Sequence, residues 1–218
     1  MKVIVTTGPS FEPIDEVRRL TNFSTGESGV RLANHLATCG HEVFCLRGEA
    51  ATYEGALKNC RHLPFATNDD LLRHLIDLSR EHEVGAVFHV AALCDFKVKA
   101  VTDARGQQLD SPKIESRAGS LSIELEPARK IIGELRGLFP KASLAGWKYE
   151  LNGSRDDALE KAWSQLKENK TDACVLNGRA YGSGFAFCTT PDVVRHVPTK
   201  EELFPFLADW LERHRPST

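Results

Sequence analysis

The chain has 218 residues, 41% hydrophobic and 27% charged, which is enough apolar content to bury the core of one α/β domain. Its 28 Lys and Arg against 30 Asp and Glu give a net charge of -2, with the basic residues scattered, so no bulk attraction toward nucleic acid or an anionic membrane is expected. No apolar run approaches the ~20 residues of a membrane helix. The opening MKVIVTTG reads as a strand rather than a secretory leader, and a soluble, cytoplasmic protein is the expectation.

Lys2–Thr7 is β-branched and stopped by Gly8-Pro9, the pattern of a short buried strand. A long polar loop follows. Glu27–Cys39 then predicts a helix, with Val30, Leu32, Ala33, Leu36 and Ala37 at apolar positions and Gly40 as its stop. HEVFCL, at 41–46, closes a strand–helix–strand unit, which implies parallel pairing. Asn68–Glu81 is amphipathic, and GAVFHVAAL, at 85–93, is apolar enough for a central strand. Arg129–Leu138 predicts a helix, 142–147 a strand, Arg155–Lys167 a helix and 172–176 a strand. Segments 184–190 and 192–197 read as a short hairpin, and Glu201–Arg213 as a last helix with Thr199 as N-cap.

The alternation predicts a Rossmann-like, doubly wound, mostly parallel sheet with helices on both faces, a single domain over 1–218. Between Phe96 and Leu125 the pattern breaks into a polar stretch rich in turn residues, expected to be a flap or β-ribbon. The six cysteines make no C-x-x-C pair and no histidines stand at zinc-ligand spacing, so no metal site is expected. Cys45 and Cys174 lie in apolar runs and read as core thiols, whereas Cys94 falls in a candidate site loop.

Open α/β sheets bind ligands beyond the carboxyl ends of their strands, which selects the loops after Thr7, Val90, Trp147 and Leu176. In the first, TNFSTGESG places Ser24, Thr25 and Gly26 directly before a helix, where backbone N–H groups and the helix dipole suit a phosphate. A polar loop with an ordinary cap fits the same residues. Neither a Walker lysine nor a G-x-G-x-x-G fingerprint is present. In the second loop the small Ala91 and Ala92 allow close approach, and Asp95 offers an acceptor or a turn cap. Lys113, with Lys97 and Lys99 as competitors, is the flap cation. Trp147 offers a ring to stack or to anchor the core, Lys148 a phosphate partner, and Asn177 an amide at a strand end.

Five motifs, in order, resemble the phosphopantothenate–cysteine ligase family. The family opening, from a Gly-Gly-Thr through P-(I/L)-D-x-V-R to N-x-S-(S/T)-G-x-x-G, appears as GPSFEPIDEVRRLTNFSTGESG at 8–29. The AAVSDF-like loop appears as AALCDF, the KI flap motif as SPKIES, the FKLET-like segment as WKYEL, and the VAN strand end as VLN. The resemblance runs from Val3 to Thr190 and fits the stand-alone eukaryotic-type pattern better than the bacterial one. Gly8-Pro9-Ser10 replaces Gly-Gly-Thr, a second flap lysine is missing after Lys113, and Leu176-Asn177-Gly178 stands for the bacterial A-N-D.

The resemblance implies a ligase that activates 4'-phosphopantothenate with CTP or ATP and Mg²⁺, then joins it to cysteine. It implies that Asn22 serves the cysteine-dependent half-reaction and that Lys113 engages the activated intermediate. Ser24, Gly26 and Gly29 would belong to the substrate phosphate site, and Gly8 to the substrate site. Ala91, Ala92 and Asp95 would contact the pantothenate of a partner subunit in a homodimer, Asn177 would bind ligand, and Trp147 and Lys148 would lie on the nucleotide side. The flavin-dependent half fused in many bacterial proteins is not in the sequence, so no flavin is expected. Two other readings stay open: an NAD(P)-binding oxidoreductase, although no tyrosine has a lysine four residues on, and a non-catalytic nucleotide-binding α/β module.

Overall fold

A computed structural model describes residues 1–115, 119–190 and 193–214. The expected flap takes in residues 116–118, and the expected strand from Asp192 starts at a residue that, like those three, lies outside the described ones.

The chain opens with β1 (Lys2–Thr7), a short hairpin of β2 (Phe11–Pro13) and β3 (Arg19–Thr21), α1 (Glu27–Thr38) and β4 (Glu42–Gly48). β5 (Cys60–Phe65), α2 (Asn68–Glu81) and β6 (Val84–His89) follow, then the ribbon strands β7 (Phe96–Thr102) and β8 (Ser122–Pro127). α3 (Ile131–Leu138), β9 (Ser143–Tyr149), α4 (Arg155–Asn169), β10 (Ala173–Asn177), β11 (Phe185–Thr190), β12 (Val193–Val197) and α5 (Lys200–Arg213) complete the order.

Among the described residues eight strands form one sheet in the order β12-β11-β10-β9-β6-β1-β4-β5, parallel except that β11 runs against both its neighbours. Side chains alternate between its faces. Val3 and Val5 of β1, with Ala86 and Phe88 of β6, pack toward α1 and α5. Ile4 and Val87, the intervening residues, pack toward α2 and α3. Ala158, Ala162 and Leu166 of α4 cover β10 and β11. The doubly wound, two-faced architecture is therefore as expected from the alternation of elements. Strand order reverses between β1 and β6, and at such a switch point the connections diverge and leave a crevice.

Three strands, β5 and the pair β2 and β3, escape the sequence patterns. β5 is an edge strand with Arg61 and His62 exposed and Pro64 in its run, which an edge tolerates because one side needs no ladder donor. The β2–β3 hairpin lies inside the segment expected to be loop, and its turn is organised by Asp15, which accepts from the backbone N–H groups of Val17 and Arg18 and from the Arg18 guanidinium. The strand expected to reach Leu93 ends at His89, and the helix expected from Arg129 starts at Ile131 after an extended Lys130. Gly40 takes the left-handed φ of 84° after α1, and the Thr199 side chain accepts from the Glu202 N–H, both as expected.

The flap strands pair antiparallel and stand apart from the main sheet, with Lys97–Glu126 at 3.0 Å across the ribbon. At its root the Ala128 N–H donates to the Asp95 carbonyl, and the Asn68 amide donates to the Cys94 carbonyl. At its far end Ile114 is buried and its N–H donates to the Asp15 carboxylate at 3.1 Å. Burial works against the charge of Asp15, but these N–H donors and Arg18 hold its carboxyl well below the usual range.

Candidate functional site

Two clefts open at the carboxyl ends of the central strands, one on each side of the sheet. The first, about 210 Å³, is lined by Phe23–Gly29, Thr7, Val90, Ala92, Trp147, Tyr149 and Asn177. Gly26, whose φ of 80° favours glycine, is the N-cap of α1 and offers no side chain to it; the Glu27 N–H donates to Thr25 Oγ1 at 3.2 Å, and Ser28 and Gly29 follow along the cleft. Thr7 donates to the Gly26 carbonyl at 2.8 Å. Gly29 lies directly against Thr7: a Cβ there would meet the Thr7 Oγ1 at 2.2 Å, so only glycine lets the helix start approach the end of β1. Gly8, with φ 79°, accepts from the Ala92 N–H at 3.0 Å and ties the loop after β1 to the loop after β6.

Trp147 is held edge-on to Phe185, and its indole N–H donates to Asn177 Oδ1 at 3.2 Å. Both belong to the same sheet face as Thr7, by the alternation along β9, β10 and β1. Asn22 borders this region from the exposed loop before α1. Its amide nitrogen donates to the carbonyls of Leu93 at 2.8 Å and Ala92 at 3.4 Å, which fixes its place over the second loop.

The second cleft, about 380 Å³, is lined by residues of six segments, among them Asn68, His89, Ala91, Asp95, Lys130, Lys148, Lys161 and Gln165, with Trp147 on the shared wall. Arg129, Lys130, Lys148 and Lys161 face Asp95 and Glu168 across it, a cationic excess that suits a polyanion. Glu150 fixes two of these cations, pairing with Lys161 at 2.7 Å and Lys148 at 3.4 Å. Burial opposes its charge, but the two ammonium groups overcome that and hold its carboxyl below the usual range. His89 is buried at the cleft, and desolvation pushes its imidazole down to about 4. Cys94 is buried behind the loop, its N–H donating to Ser10 Oγ at 2.9 Å, and burial pushes the thiol up.

The structure thus brings Ser24, Gly26, Gly29, Ala92, Trp147 and Asn177 together in one cleft and Ala91, Asp95 and Lys148 in the other, with Trp147 common to both. Asn22 and Gly8 brace the loops between them. Lys113 lines neither cleft; it lies exposed on the flap, beside the buried Ile114. Sequence reasoning missed His89, Arg129, Lys130 and Lys161. His89 sits inside the run GAVFHVAAL at 85–93, and its even spacing from Val87 was the available signal. The three cations carried none, since their meeting depends on how α3 and α4 pack.

A family model described as the DNA/pantothenate metabolism flavoprotein C-terminal domain matches residues 1–202. This chain belongs to that family. The match bears out the resemblance drawn from the five ordered motifs. The coenzyme A biosynthesis bifunctional protein CoaBC of Thermococcus kodakarensis is 30% identical over 217 residues, covering 97% of this chain and 51% of that protein. CoaBC of Bacillus subtilis is 27% identical over 184 residues, 84% of this chain and 42% of the relative. The chain spans about half the length of the curated relatives it matches. Among solved structures, the DNA/pantothenate metabolism flavoprotein from Streptococcus pneumoniae superposes with a TM-score of 0.85 at 23% identity, covering 99% of this chain and 100% of that one. A Cab2 mutant in complex with phosphopantothenate-cysteine superposes at 0.71 with 18% identity, covering 98% and 87%. These structures establish the shared fold.

Proposed function

We propose that this chain is the phosphopantothenate–cysteine ligase of coenzyme A synthesis. The observation that carries the reading is the pair of clefts meeting at Trp147: a glycine-capped helix start suited to a phosphate on one side and a cationic groove suited to a triphosphate on the other. The names of the relatives support it, since CoaBC is a coenzyme A biosynthesis protein and Cab2 was solved with phosphopantothenate-cysteine.

In this reading the substrate phosphate rests on α1 with Ser24 and Gly26, the pantothenate arm runs past Asn177, and the loop of Ala91, Ala92 and Asp95 contacts the pantothenate held by the partner subunit. Its carboxylate oxygen attacks the α-phosphorus of CTP or ATP in the second cleft. The bond to the bridging oxygen breaks, pyrophosphate leaves, and an acyl nucleotidylate results. The amine of cysteine then attacks the acyl carbon, the nucleoside monophosphate leaves with the bonding pair, and the amine proton passes to solvent. A carboxylate is a poor acyl donor, so this exchange supplies the leaving group. Lys148 and Lys161 offset triphosphate charge, and the fixed loops hold the partners in line.

Mg²⁺ is proposed to arrive on the triphosphate, where it neutralises charge. Among the described residues no group of three or more His, Cys, Asp or Glu is placed to hold a metal ion. Asn22 is assigned to the developing oxyanion of the second step. Lys113, exposed on the flap and outside both clefts, is assigned to the activated intermediate. The protein is proposed to work as a cytoplasmic homodimer; among the described residues no helix is long and apolar enough to cross a membrane.

The deciding experiment measures pyrophosphate and amide product with Mg²⁺, 4'-phosphopantothenate and L-cysteine, ATP and CTP in parallel. Release dependent on phosphopantothenate with amide formation supports the ligase and reports the nucleotide. Nucleotide binding without release from folded protein returns the chain to the binding-module reading.

A further inference from the structure

Thr6 and His89 face each other as register partners where β1 and β6 end, at the point where strand order reverses. Thr6 is fully buried, and its hydroxyl lies 2.9 Å from His89 Nδ1. The same hydroxyl oxygen accepts from the Ala91 N–H at 3.2 Å. With that lone pair used, the hydroxyl hydrogen needs an acceptor, and among the described residues Nδ1 is the one bonded to it. If Nδ1 carried the proton, two donors would converge on Thr6 while its own hydrogen went unmatched in a buried site, an unfavourable arrangement. Thr6 therefore donates, Nδ1 accepts, and the imidazole proton resides on Nε2. Nε2 makes no hydrogen bond to any described residue, and the ring lines the second cleft. Burial supports the same state, since it holds the ring neutral.

We propose that His89 is a ligand-facing donor of the second cleft, its Nε2–H fixed by Thr6 and directed at a phosphate oxygen of the bound nucleotide. This rests on the reading of that cleft as the nucleotide site. Thr6 is the positioning residue. A neutral donor differs from the four cations around it: it is locked in direction, is not shared with a carboxylate, and adds orientation where the lysines add charge. Such a contact would set which triphosphate oxygen lies at the crevice between β1 and β6.

The test is ¹⁵N-resolved imidazole NMR of the full chain, with titrations of MgATP, MgCTP, magnesium tripolyphosphate and the two nucleosides. The expected wild-type spectrum shows neutral His89 with its proton on Nε2, shifted by both nucleotides and by tripolyphosphate but by neither nucleoside. Thr6→Val, close in shape, should lose the single tautomer and keep the fold. His89→Leu should weaken nucleotide binding about tenfold, and His89→Gln, which retains an N–H donor, should recover most of it. A proton on Nδ1, a shift caused by nucleosides alone, or wild-type affinity in His89→Leu overturns the proposal. Intact nucleotide binding without pyrophosphate release removes the ligase reading and leaves His89 standing; absence of all nucleotide binding removes both.

Discussion

The first cleft takes seven of its thirteen lining residues from one stretch of chain, Phe23–Gly29, and that stretch presents backbone N–H groups, hydroxyls and glycine. The second draws on α2, β6, the loop at 91–95, the start of α3, the end of β9 and one face of α4, and works through charge. The sheet itself sorts them. Thr7, Trp147 and Asn177 fall on one face, Thr6, His89 and Lys148 on the other, because neighbours along a strand point opposite ways. The difference teaches that a backbone site depends on one close approach and should fail all at once, while a charged site spread over several elements should weaken by degrees.

The largest expected effect is on the backbone site. Gly29→Ala places a Cβ 2.2 Å from Thr7 Oγ1 and should cost about 3 kcal/mol or more, read as a lower urea midpoint together with lost activity. Unchanged stability would mean α1 can slide on β1 and that the approach is not fixed.

The second cleft has its own signature in stability against pH. Burial lowers the folded pKa of His89 from 6.5 to about 4, so the unfolded chain binds the extra proton between those values. Stability from this residue is present in full above pH 6.5 and is lost as pH falls toward 4, by roughly 3 kcal/mol in all. Urea titrations across that window should show the slope in wild type and its loss in His89→Leu, a subtraction that removes contributions of Asp95, Arg129, Lys130, Lys148, Lys161 and Glu168. Equal slopes would place the acid sensitivity elsewhere.

Asn22→Ala probes the bridge between the clefts, since Asn22 holds the loop at Leu93. Pyrophosphate release should persist while amide formation falls about 100-fold, the scale of one lost oxyanion donor. Amide formed at the normal rate would end that assignment. Lys148→Ala and Ser24→Ala should cross: the first raises the KM for nucleotide about three- to tenfold and leaves that for phosphopantothenate, the second does the reverse. Parallel changes in both constants would show one merged site. The smallest structural effect is expected from the exposed Lys113: Lys113→Ala should lower turnover about tenfold with stability within about 0.5 kcal/mol. Unchanged turnover makes it a solvated surface residue.

How much was legible follows the same division. Phe23–Gly29 announces itself because local chemistry suffices: a polar, glycine-containing turn immediately before an amphipathic helix. The buried strands and five helices are legible through periodicity, and α2 matches its expected range of Asn68–Glu81 because Thr67 and Asp70 form a capping box. β5 was hidden by its edge position, which leaves Arg61 and His62 in water and tolerates Pro64. The flap was legible as an interruption, but its anchor was not, because Asp15 and Ile114 are far apart in sequence and meet through a side chain bonding a backbone N–H.

The sequence by itself determined the fold class, the family and the polar, glycine-containing turn that starts α1, since these rest on spacing along a few consecutive residues. Only the tertiary structure decided which face each strand-end residue serves, that Lys130, Lys148 and Lys161 converge, and that Thr6 and His89 are partners. Those outcomes depend on strand order and register, and both are set by the global packing of helices on two faces rather than by any local stretch of chain.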